Sequence, residues 1–414
     1  MIAEKNILLD DYNYELPDNR IAKYPLKQKD KSKLLVFKNG TITDNNFENI
    51  ADYFSDNSLI VFNNTKVIQA RLEFEKETGA KIEIFCLEPY FPSEYVSAFQ
   101  QKGKCSWKCI VGNLKKWKNQ SLVKPFYFNN ELYSLKAEKI KSKNNSQIIE
   151  FTWDKKLTFS EVLENIGVTP IPPYLNRKAE ESDKSNYQTI YSKYKGSVAA
   201  PTAGLHFTKK VFENLEKKNI KNTELTLHVG AGTFIPVKSK IIGGHVMHTE
   251  HFMVKIENLK IILKNIKNIV AVGTTTVRTL ESIYWLGVKI IKNPQINPEN
   301  LSISQWEVYE FDESISSEKA LKSMLNYMIK HERNVLFAST QIIIVTGYDF
   351  KIVKTLITNF HQPKSTLLLL VSAFIGENWK NVYKYALDNN FRFLSYGDSC
   401  LFFNQIGEED VTFQ

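Results

Sequence analysis

The chain has 414 residues, of which 43% are hydrophobic and 12% aromatic, and it carries a formal net charge of +9. This size and composition predict a folded globular protein of two domains. Four scattered cysteines exclude a disulfide-held scaffold, and the longest apolar run, Thr366–Ile375, is about half of the roughly 20 residues that a membrane span needs. We therefore expect a cytoplasmic protein without a membrane association. The positive charge is weak support for a nucleic-acid partner, because lysine is abundant along the whole chain.

The first 152 residues combine one buried strand with a β-rich block. Ser58–Phe62 predicts the strand, which runs into a polar turn that begins at Asn63. From about residue 71 to 152, short alternating or aromatic segments are separated by Gly, Asn and Pro. This pattern is typical of a small antiparallel barrel or sandwich.

After residue 152 the pattern alternates between helix and strand. The predicted helices are Thr158–Gly167, Lys209–Lys218 with Thr208 as its cap, Thr275–Trp285, Glu318–His331, an apolar helix capped by Ser365, and Asn378–Asp388. The predicted strands are Glu224–Val229, Ile269–Val272, Gln341–Val345 and strands within Phe391–Phe403. The fold class predicted is an α/β main domain, a mixed sheet with flanking helices formed by residues 1–70 and 153–414. A small antiparallel β-barrel domain, residues 71–152, is inserted into it.

Two segments, one rich in small residues and one in glycine, predict close contact between the backbone and a ligand. In GSVAAPTAGLHFT, residues 196–208, mostly small residues precede His206 and Phe207. In TLHVGAGTF, residues 226–234, His228 ends a strand and Gly230 and Gly232 follow it, as in many nucleotide sites. The segment is not a dinucleotide fingerprint, because the third glycine position holds Ile235 and no helix pattern follows.

The segment GGHVMHTEH, residues 243–251, contains three histidines and Glu250. A metal site is one interpretation, but the spacing matches no zinc motif. On a strand, His248 and Glu250 share one face while His245 and His251 do not. A metal-free polar site is therefore favoured, and a solvated loop remains an alternative.

Three further segments place polar residues beside strand or helix ends. In VAVGTTTVRTLES, residues 270–282, the helix start at Thr274 and Thr275 favours an anion, with Arg278 one turn inside; simple N-capping is the alternative. In TNFHQPKS, His361 and Lys364 precede a capped helix whose start would face an anion; a turn stiffened by Pro363, with a solvated Lys364, is the alternative. In FRFLSYGDS, Tyr396 and Asp398 flank a glycine turn. Together these loops predict one composite site.

These segments, with YELPDNRIAKYP, NNTKVIQARL, PIPPYLNR and YQTIYSKYKGSVAAPTAGLHFT, resemble the S-adenosylmethionine:tRNA ribosyltransferase-isomerase family of queuosine biosynthesis. The resemblance runs in order over nearly the whole chain. It implies transfer and isomerisation of the ribosyl moiety of S-adenosylmethionine to the aminomethyl group of 7-aminomethyl-7-deazaguanine in the tRNA anticodon loop. The products are epoxyqueuosine in tRNA, adenine and methionine. S-adenosylmethionine is then a co-substrate, with no permanently bound cofactor and no metal, and we expect a monomer.

The chemistry that the resemblance implies assigns roles to residues. A base must remove a proton beside the sulfonium, and His206 and His228 are preferred over His248 and Asp398. Glu250 or Asp398 would supply the leaving adenine with a proton or with strong hydrogen bonds. Arg278 and the helix start would hold the methionine carboxylate, and Phe207 or Tyr396 the sulfonium. The other predicted substrate-binding residues lie in the matching segments: Asn63, Arg71, Arg177, Gly230, Gly232, His248, Thr274, Thr275, His361 and Lys364.

The sequence departs from the usual family pattern at Lys33, Asn64, Thr346 and Gln362, and residues 287–340 form a longer interval than is usual. These departures leave open a related modified base as the acceptor, or a noncatalytic RNA-binding relative. For tRNA, the lysines of the small domain, Lys115, Lys116 and Lys118, are predicted to contact phosphates.

Overall fold

A ten-stranded mixed sheet forms the centre of the protein. The computed structural model describes residues 2–118, 120–143, 146–230, 232, 237, 239–311 and 314–404. Within them the strands are β1 (Lys33–Lys38), β2 (Thr41–Asn46), β3 (Leu59–Asn63), β4 (Thr65–Val67), β5 (Arg71–Glu75), β6 (Lys81–Phe91), β7 (Lys104–Gly112), β8 (Leu122–Phe128), β9 (Glu131–Lys143), β10 (Ser146–Thr152), β11 (Tyr194–Ser197), β12 (Lys221–Leu227), β13 (Glu250–Lys255), β14 (Ile269–Val272), β15 (Ser302–Ile303), β16 (Val335–Thr340), β17 (Val353–Asn359) and β18 (Ser399–Phe403).

The helices of the same residues flank this sheet or cover the smaller one. They are α1 (Tyr95–Gln100), α2 (Phe159–Ile166), α3 (Asp183–Asn186), α4 (Lys209–Lys217), α5 (Ile256–Lys264), α6 (Thr274–Lys292), α7 (Ser317–Lys330), α8 (Thr366–Ile375) and α9 (Asn378–Asp388). Among the described residues, no helix combines the length and the apolar character that crossing a membrane requires.

The large sheet has the strand order β15-β16-β13-β12-β3-β14-β17-β18-β1-β2. Four neighbours in its middle, β12, β3, β14 and β17, run parallel to one another. The strand β13 is antiparallel to β12, and β16 is antiparallel to β13, so β16 runs in the direction of β12. The carboxyl ends of β16, β12, β3, β14 and β17 therefore lie along the same edge of the sheet, which is where open α/β sheets bind ligands.

The smaller sheet has six strands in the order β5-β6-β7-β10-β9-β8, and every neighbouring pair is antiparallel. Its two edge strands approach each other, since Nζ of Lys124 on β8 donates to the carbonyl oxygen of Glu73 on β5 at 2.9 Å. The sheet is thus a nearly closed barrel, filled by side chains such as Trp107 and Phe151. The prediction of a mixed sheet with helices and of a barrel-like β block is confirmed, while the domain boundaries at residues 71 and 152 stay a prediction.

Several predicted elements are confirmed within a residue or two of their bounds. The helix α9 and the strand β14 have the predicted bounds, and Thr208 and Ser365 cap α4 and α8 as expected. The apolar helix α8 is buried from Leu368 to Ile375. Its hydrophobicity therefore reflects its place in the protein core.

Three predicted elements are wrong in extent or kind. The helix α6 continues to Lys292, seven residues beyond the predicted end at Trp285. Gly287 lets this part of α6 pack closely against α7, since a Cβ on Gly287 would lie 2.2 Å from the carbonyl oxygen of Ala320. The predicted strand Gln341–Val345 is a buried connection after β16. Side chains replace strand partners there, since Tyr309 Oη donates to the carbonyl oxygen of Ile343 and accepts from the backbone N–H of Val345.

The predicted strands within Phe391–Phe403 are confirmed only at β18, Ser399–Phe403. Before it, Leu394 has a φ of +67°, and the backbone N–H of Arg392 donates to Asp398. A carboxylate that binds backbone N–H groups holds this segment as a turn and removes the donors that a strand ladder would use.

Candidate active site

A cavity of about 190 Å³ lies at the edge of the large sheet where the carboxyl ends of the parallel strands meet. Val229 after β12, Gly273 after β14 and Asn359 at the end of β17 line it. Glu250, the first residue of β13, lines it from the opposite direction. The cavity is smaller than the roughly 300–1,000 Å³ of pockets that enclose a whole drug-sized ligand. It therefore has room for only part of such a ligand.

The start of α6 lies at the edge of this cavity. The turn between β14 and α6 depends on Gly273, whose φ is +87°, and no side chain caps the helix. Thr276 is fully buried, and its hydroxyl donates to the carbonyl oxygen of Val272 at 2.7 Å. Thr274 and Thr275 line the cavity. Of the three threonines at this helix start, Thr274 and Thr275 are therefore available to a ligand, at a helix end that favours negative charge.

A buried ion pair lies one turn further along α6. Arg278 and Glu250 line the cavity, and Nη1 of Arg278 donates to Oε2 of Glu250. Nε of Arg278 donates to the carbonyl oxygen of Ile342 at 3.1 Å, which fixes the plane of the guanidinium. The third donor group, Nη2, is buried and has no hydrogen-bond partner among the described residues. A buried donor without a partner costs roughly 1–3 kcal/mol, so an anionic ligand that accepts from Nη2 would recover that energy.

Two of the predicted histidines line the same cavity, in different environments. His361 is buried, its Nε2 lies 2.9 Å from the hydroxyl of Thr358, and its backbone N–H donates to Tyr383. Burial lowers the pKa of His361 to about 3, so this imidazole is neutral at pH 7. His248 is solvent-exposed and makes no hydrogen bond to a described residue. Its ring lies against Gly232, where a Cβ would be 1.9 Å from Cδ2.

Eight predicted site residues therefore come together at one cavity. They are Gly232, His248, Glu250, Thr274, Thr275, Arg278, His361 and Lys364. The ammonium of Lys364 forms an ion pair with Asp10. The small residues from Ala199 to Ala203 also line the cavity, as the composition of that segment predicted.

Comparisons with known proteins identify the family of this chain. The sequence model of the family described as "Queuosine biosynthesis protein" matches residues 9–402. The S-adenosylmethionine:tRNA ribosyltransferase-isomerase of Sulfurihydrogenibium sp. (strain YO3AOP1) is 38% identical over 401 residues, which cover 95% of this chain and 99% of that protein. The enzyme of the same name from Trichlorobacter lovleyi is 34% identical over 405 residues, with the same coverage. The chain belongs to the queuosine biosynthesis protein family.

A solved crystal structure named S-adenosylmethionine tRNA ribosyltransferase, from Thermotoga maritima, is 26% identical and covers 94% of this chain and 99% of its own, with a TM-score of 0.44. The family resemblance stated from the sequence motifs is thus confirmed by the family model and by the two relatives.

In this member of the queuosine biosynthesis family, His206 lies behind the cavity wall. It is 5% exposed, and both ring nitrogens have protein partners: Nδ1 lies 2.8 Å from the hydroxyl of Ser32 and Nε2 lies 3.2 Å from Nδ2 of Asn359. Burial lowers its pKa to about 4. Asn359 lines the cavity and is held on its other side by Thr202, whose hydroxyl donates to Oδ1 at 2.8 Å. His206 thus positions Asn359 and does not contact the cavity.

His228 contacts a second cavity. Its Nδ1 lies 3.1 Å from the hydroxyl of Thr65, and its ring stacks on Tyr95 with centroids 4.9 Å apart. Burial lowers the pKa of His228 to about 4. His228 and the next residue, Val229, therefore line different cavities. The geometry brings neither of the two preferred bases to the first cavity.

Asp398 and Asn63 hold backbone segments near the site. Asp398 is 2% exposed, and its carboxylate accepts from the backbone N–H groups of Lys33 and Arg392 and from the Arg392 guanidinium. Asn63 bridges β3 and β12 through both backbone polar groups of Leu227, and its Nδ2 reaches the Thr275 hydroxyl at 3.4 Å. Neither side chain lines the first cavity.

Five other predicted residues, Arg71, Arg177, Phe207, Gly230 and Tyr396, do not line the first cavity. Arg177 forms a two-bond ion pair with Asp183, which also accepts from the hydroxyl of Tyr396. Arg71 belongs to the small sheet, where it pairs with Glu83. Phe207 is fully buried in a core cluster, where its ring contacts those of Phe47 and Phe62. Gly230 has open space around it and is not a lining residue, and Ala231, Thr233 and Phe234 of its motif lie outside the described residues.

Asn359 is the residue that the sequence interpretation missed. It lies in the segment TNFHQPKS, two residues before His361. The signal was its place at the last position of a buried strand, Val353–Asn359, whose carboxyl end opens onto the site. The longer interval 287–340 supplies the end of α6, the strand β15 and the helix α7, and does not line the first cavity in its described part.

Proposed function

We propose that this protein transfers the ribosyl moiety of S-adenosylmethionine to the aminomethyl group of 7-aminomethyl-7-deazaguanine in tRNA. The ribosyl unit isomerises to the epoxycyclopentane of epoxyqueuosine, and adenine and methionine are released. The names of two relatives that are 34% and 38% identical over nearly the whole chain support this proposal. The observation that carries it is the convergence of Arg278, Glu250 and the start of α6 on one cavity.

The methionine carboxylate is assigned to Arg278 and the start of α6. The unpaired Nη2 of Arg278 supplies a charge-assisted hydrogen bond, worth roughly 1.5–3 kcal/mol. The uncapped helix end beside Thr274 and Thr275 adds roughly 0.3–1 kcal/mol for a negative charge. Glu250 neutralises the charge of the buried Arg278 guanidinium in the absence of substrate. Its carboxylate would also attract the cationic part of the substrate.

His248 is the base that the geometry favours for removing the proton beside the sulfonium. It lines the first cavity, and its ring nitrogens have no partner among the described residues. Imidazole is a suitable base near neutral pH. By contrast, both nitrogens of His206 are already engaged. His361 is held neutral by burial and is assigned to hydrogen bonding with the substrate. Glu250, which is ion-paired with Arg278, is assigned hydrogen bonding to the substrate, and the proton that the leaving adenine takes up is the one that His248 removes from beside the sulfonium.

The barrel-like sheet is assigned to the tRNA backbone. Lys115, Lys116 and Lys118 are solvent-exposed beside β7 and carry positive charge away from the cavity. Phosphate contacts of this kind make binding sensitive to salt. We further propose that residues 71–152 form an inserted domain, and that the protein acts in the cytoplasm as a monomer without a permanently bound cofactor.

The decisive experiment incubates the protein with S-adenosylmethionine and a tRNA that carries 7-aminomethyl-7-deazaguanine. Adenine release is followed by chromatography, and the digested tRNA is analysed by nucleoside mass spectrometry; the same tRNA with unmodified guanine is the control. The proposal predicts equal amounts of adenine and epoxyqueuosine, and neither product from the control. Adenine without epoxyqueuosine would indicate a different acceptor. Neither product, from folded protein, would indicate a noncatalytic RNA-binding relative and refute the proposal.

A further inference from the structure

A second cavity, of about 560 Å³, lies on the other side of the strands that bound the first. Val229 and Glu250 line the first cavity, whereas their chain neighbours His228 and His251 line the second. Neighbouring side chains of an extended chain point in opposite directions, so a wall about one strand thick separates the two cavities. Tyr95, the first residue of α1, closes the second cavity from the side of the small sheet.

The walls of this cavity include flat aromatic surfaces. Tyr95 and His228 stack on each other with an interplanar angle of 29°. Phe337 on β16 lines the cavity and is 54% exposed, which is unusual for so large an apolar side chain. An exposed ring beside a cavity is the surface on which proteins stack the unpaired bases of RNA.

The cavity also contains polar groups that suit a nucleotide. His228 is 7% exposed, and its Nε2, unlike Nδ1, has no hydrogen-bond partner among the described residues. A neutral imidazole offers Nε2 as a single donor or acceptor, which matches the edge of a base. Arg333 lines the same cavity, and its guanidinium makes no ion pair with a described residue. Arginine in such a position binds phosphate or stacks on a base.

The segment that leads into the cavity extends this surface. Phe91 is 72% exposed and Tyr90 is 40% exposed, and they precede the cavity-lining residues Ser93 and Glu94. Nζ of Lys141 lies 4.6 Å from the centroid of the Tyr90 ring. Aromatic rings next to a cation are typical of surfaces that bind single-stranded nucleic acid.

We propose that the second cavity binds an unmodified nucleobase of the tRNA loop, a neighbour of the base that reacts. This inference rests on the proposed function, because that function places an unpaired RNA loop at the protein. The occupant is not the reacting base, since the wall formed by β12 and β13 would separate its aminomethyl group from the first cavity. The second cavity would therefore fix the register of the loop and would take no part in the chemical step.

The first test compares two substitutions in this cavity with matched controls outside it. Phe337→Ala removes the stacking surface and Arg333→Gln the guanidinium; both residues are exposed, so the fold should persist. The controls are Ile329→Ala, which changes a residue that is 56% exposed on α7, and Lys330→Gln, which removes one neighbouring charge. We expect Phe337→Ala to raise the KM for an anticodon stem–loop RNA about 5- to 150-fold, and Arg333→Gln to raise it less. The KM for S-adenosylmethionine and kcat should not change.

The second test identifies the occupant. Stem–loop RNAs are made in which each loop nucleotide in turn lacks its base, and their affinities are measured by fluorescence anisotropy. Wild-type protein should lose affinity at one unmodified position, and Phe337→Ala should be insensitive at that position. The proposal is overturned if Phe337→Ala behaves like Ile329→Ala. It is also overturned if the KM for S-adenosylmethionine rises instead, which would place part of that co-substrate in this cavity. Because the wild-type protein is assayed for adenine release in parallel, failure of the proposed function is recognised separately.

Discussion

Replacing Arg278 with lysine should weaken the binding of S-adenosylmethionine and leave the fold intact. The guanidinium uses Nη1 for Glu250 and Nε for the carbonyl oxygen of Ile342, and Nη2 is the donor that remains for a ligand. A lysine ammonium can still pair with Glu250, but it cannot reproduce the planar, forked arrangement of donors on the guanidinium. The loss is one charge-assisted hydrogen bond, roughly 1.5–3 kcal/mol. This corresponds to an increase of about 10- to 150-fold in the KM for S-adenosylmethionine.

The assay is the initial rate of adenine release against S-adenosylmethionine concentration at saturating RNA, with direct binding measured by calorimetry. The matched control is Arg177→Lys. Its side chain is 10% exposed, against 9% for Arg278, and it also forms a buried ion pair, but it does not line the cavity. If the two variants gave the same KM for S-adenosylmethionine while both remained folded, the assignment of the methionine carboxylate to Arg278 would be wrong.

Three further predictions concern acid stability, a buried carboxylate and the base. Burial lowers the pKa of His206 and His228 to about 4 and that of His361 to about 3, from 6.5. At a pH between the folded pKa and 6.5, the unfolded chain binds protons that the folded protein does not. Lowering the pH from 7 to 5 should therefore reduce the free energy of unfolding by about 2 kcal/mol per histidine, as measured by urea denaturation. Glu281→Gln should lower that free energy by about 2–4 kcal/mol at pH 7, because the carboxylate accepts four hydrogen bonds in the core and an amide nitrogen cannot accept. His248→Ala should reduce kcat for adenine release by about 10²- to 10⁴-fold, whereas His206→Ala should mainly lower stability.

Each of these predictions has its own control. For the histidines, unfolding free energy should be flat between pH 7 and 8, and equal stability at pH 7 and 5 would contradict the effect of burial. For Glu281, the exposed Glu257 on the helix α5 serves as the comparison, since Glu257→Gln should change stability by less than about 0.5 kcal/mol. For the base, a kcat of His248→Ala close to that of the wild type would remove His248 from the mechanism.

The elements predicted best from the sequence are those whose local signals agree with their packing. The helix α8 has a Ser365 cap and a continuous apolar run, and the protein core buries it. The extension of α6 through Gly287 was not predictable locally, because glycine usually ends helices, and its reason is the distant backbone of Ala320. The connection Gln341–Val345 has the composition of a strand, but its backbone is bonded by the distant Arg278 and Tyr309 side chains.

In the candidate site too, the features set by local sequence were predicted, and those set by distant contacts were not. Thr274, Thr275 and Arg278 were predicted together because they lie within one helical turn, and local geometry alone makes them converge. The roles assigned to His206 and His228 depended on which way each ring points. His206 turns toward Ser32 and Asn359, which are more than 150 residues away from it in the chain. Such contacts are set by the tertiary fold, so the sequence motif could indicate the region but not the orientation.

The central claim is that the first cavity holds the methionine end of S-adenosylmethionine at Arg278 and the start of α6. A crystal structure of the protein with an unreactive analogue of S-adenosylmethionine tests it most directly. We expect the analogue's carboxylate within about 3 Å of Nη2 of Arg278 and of the first backbone N–H groups of α6. A carboxylate bound in the second cavity, beside Arg333 or His228, would contradict it.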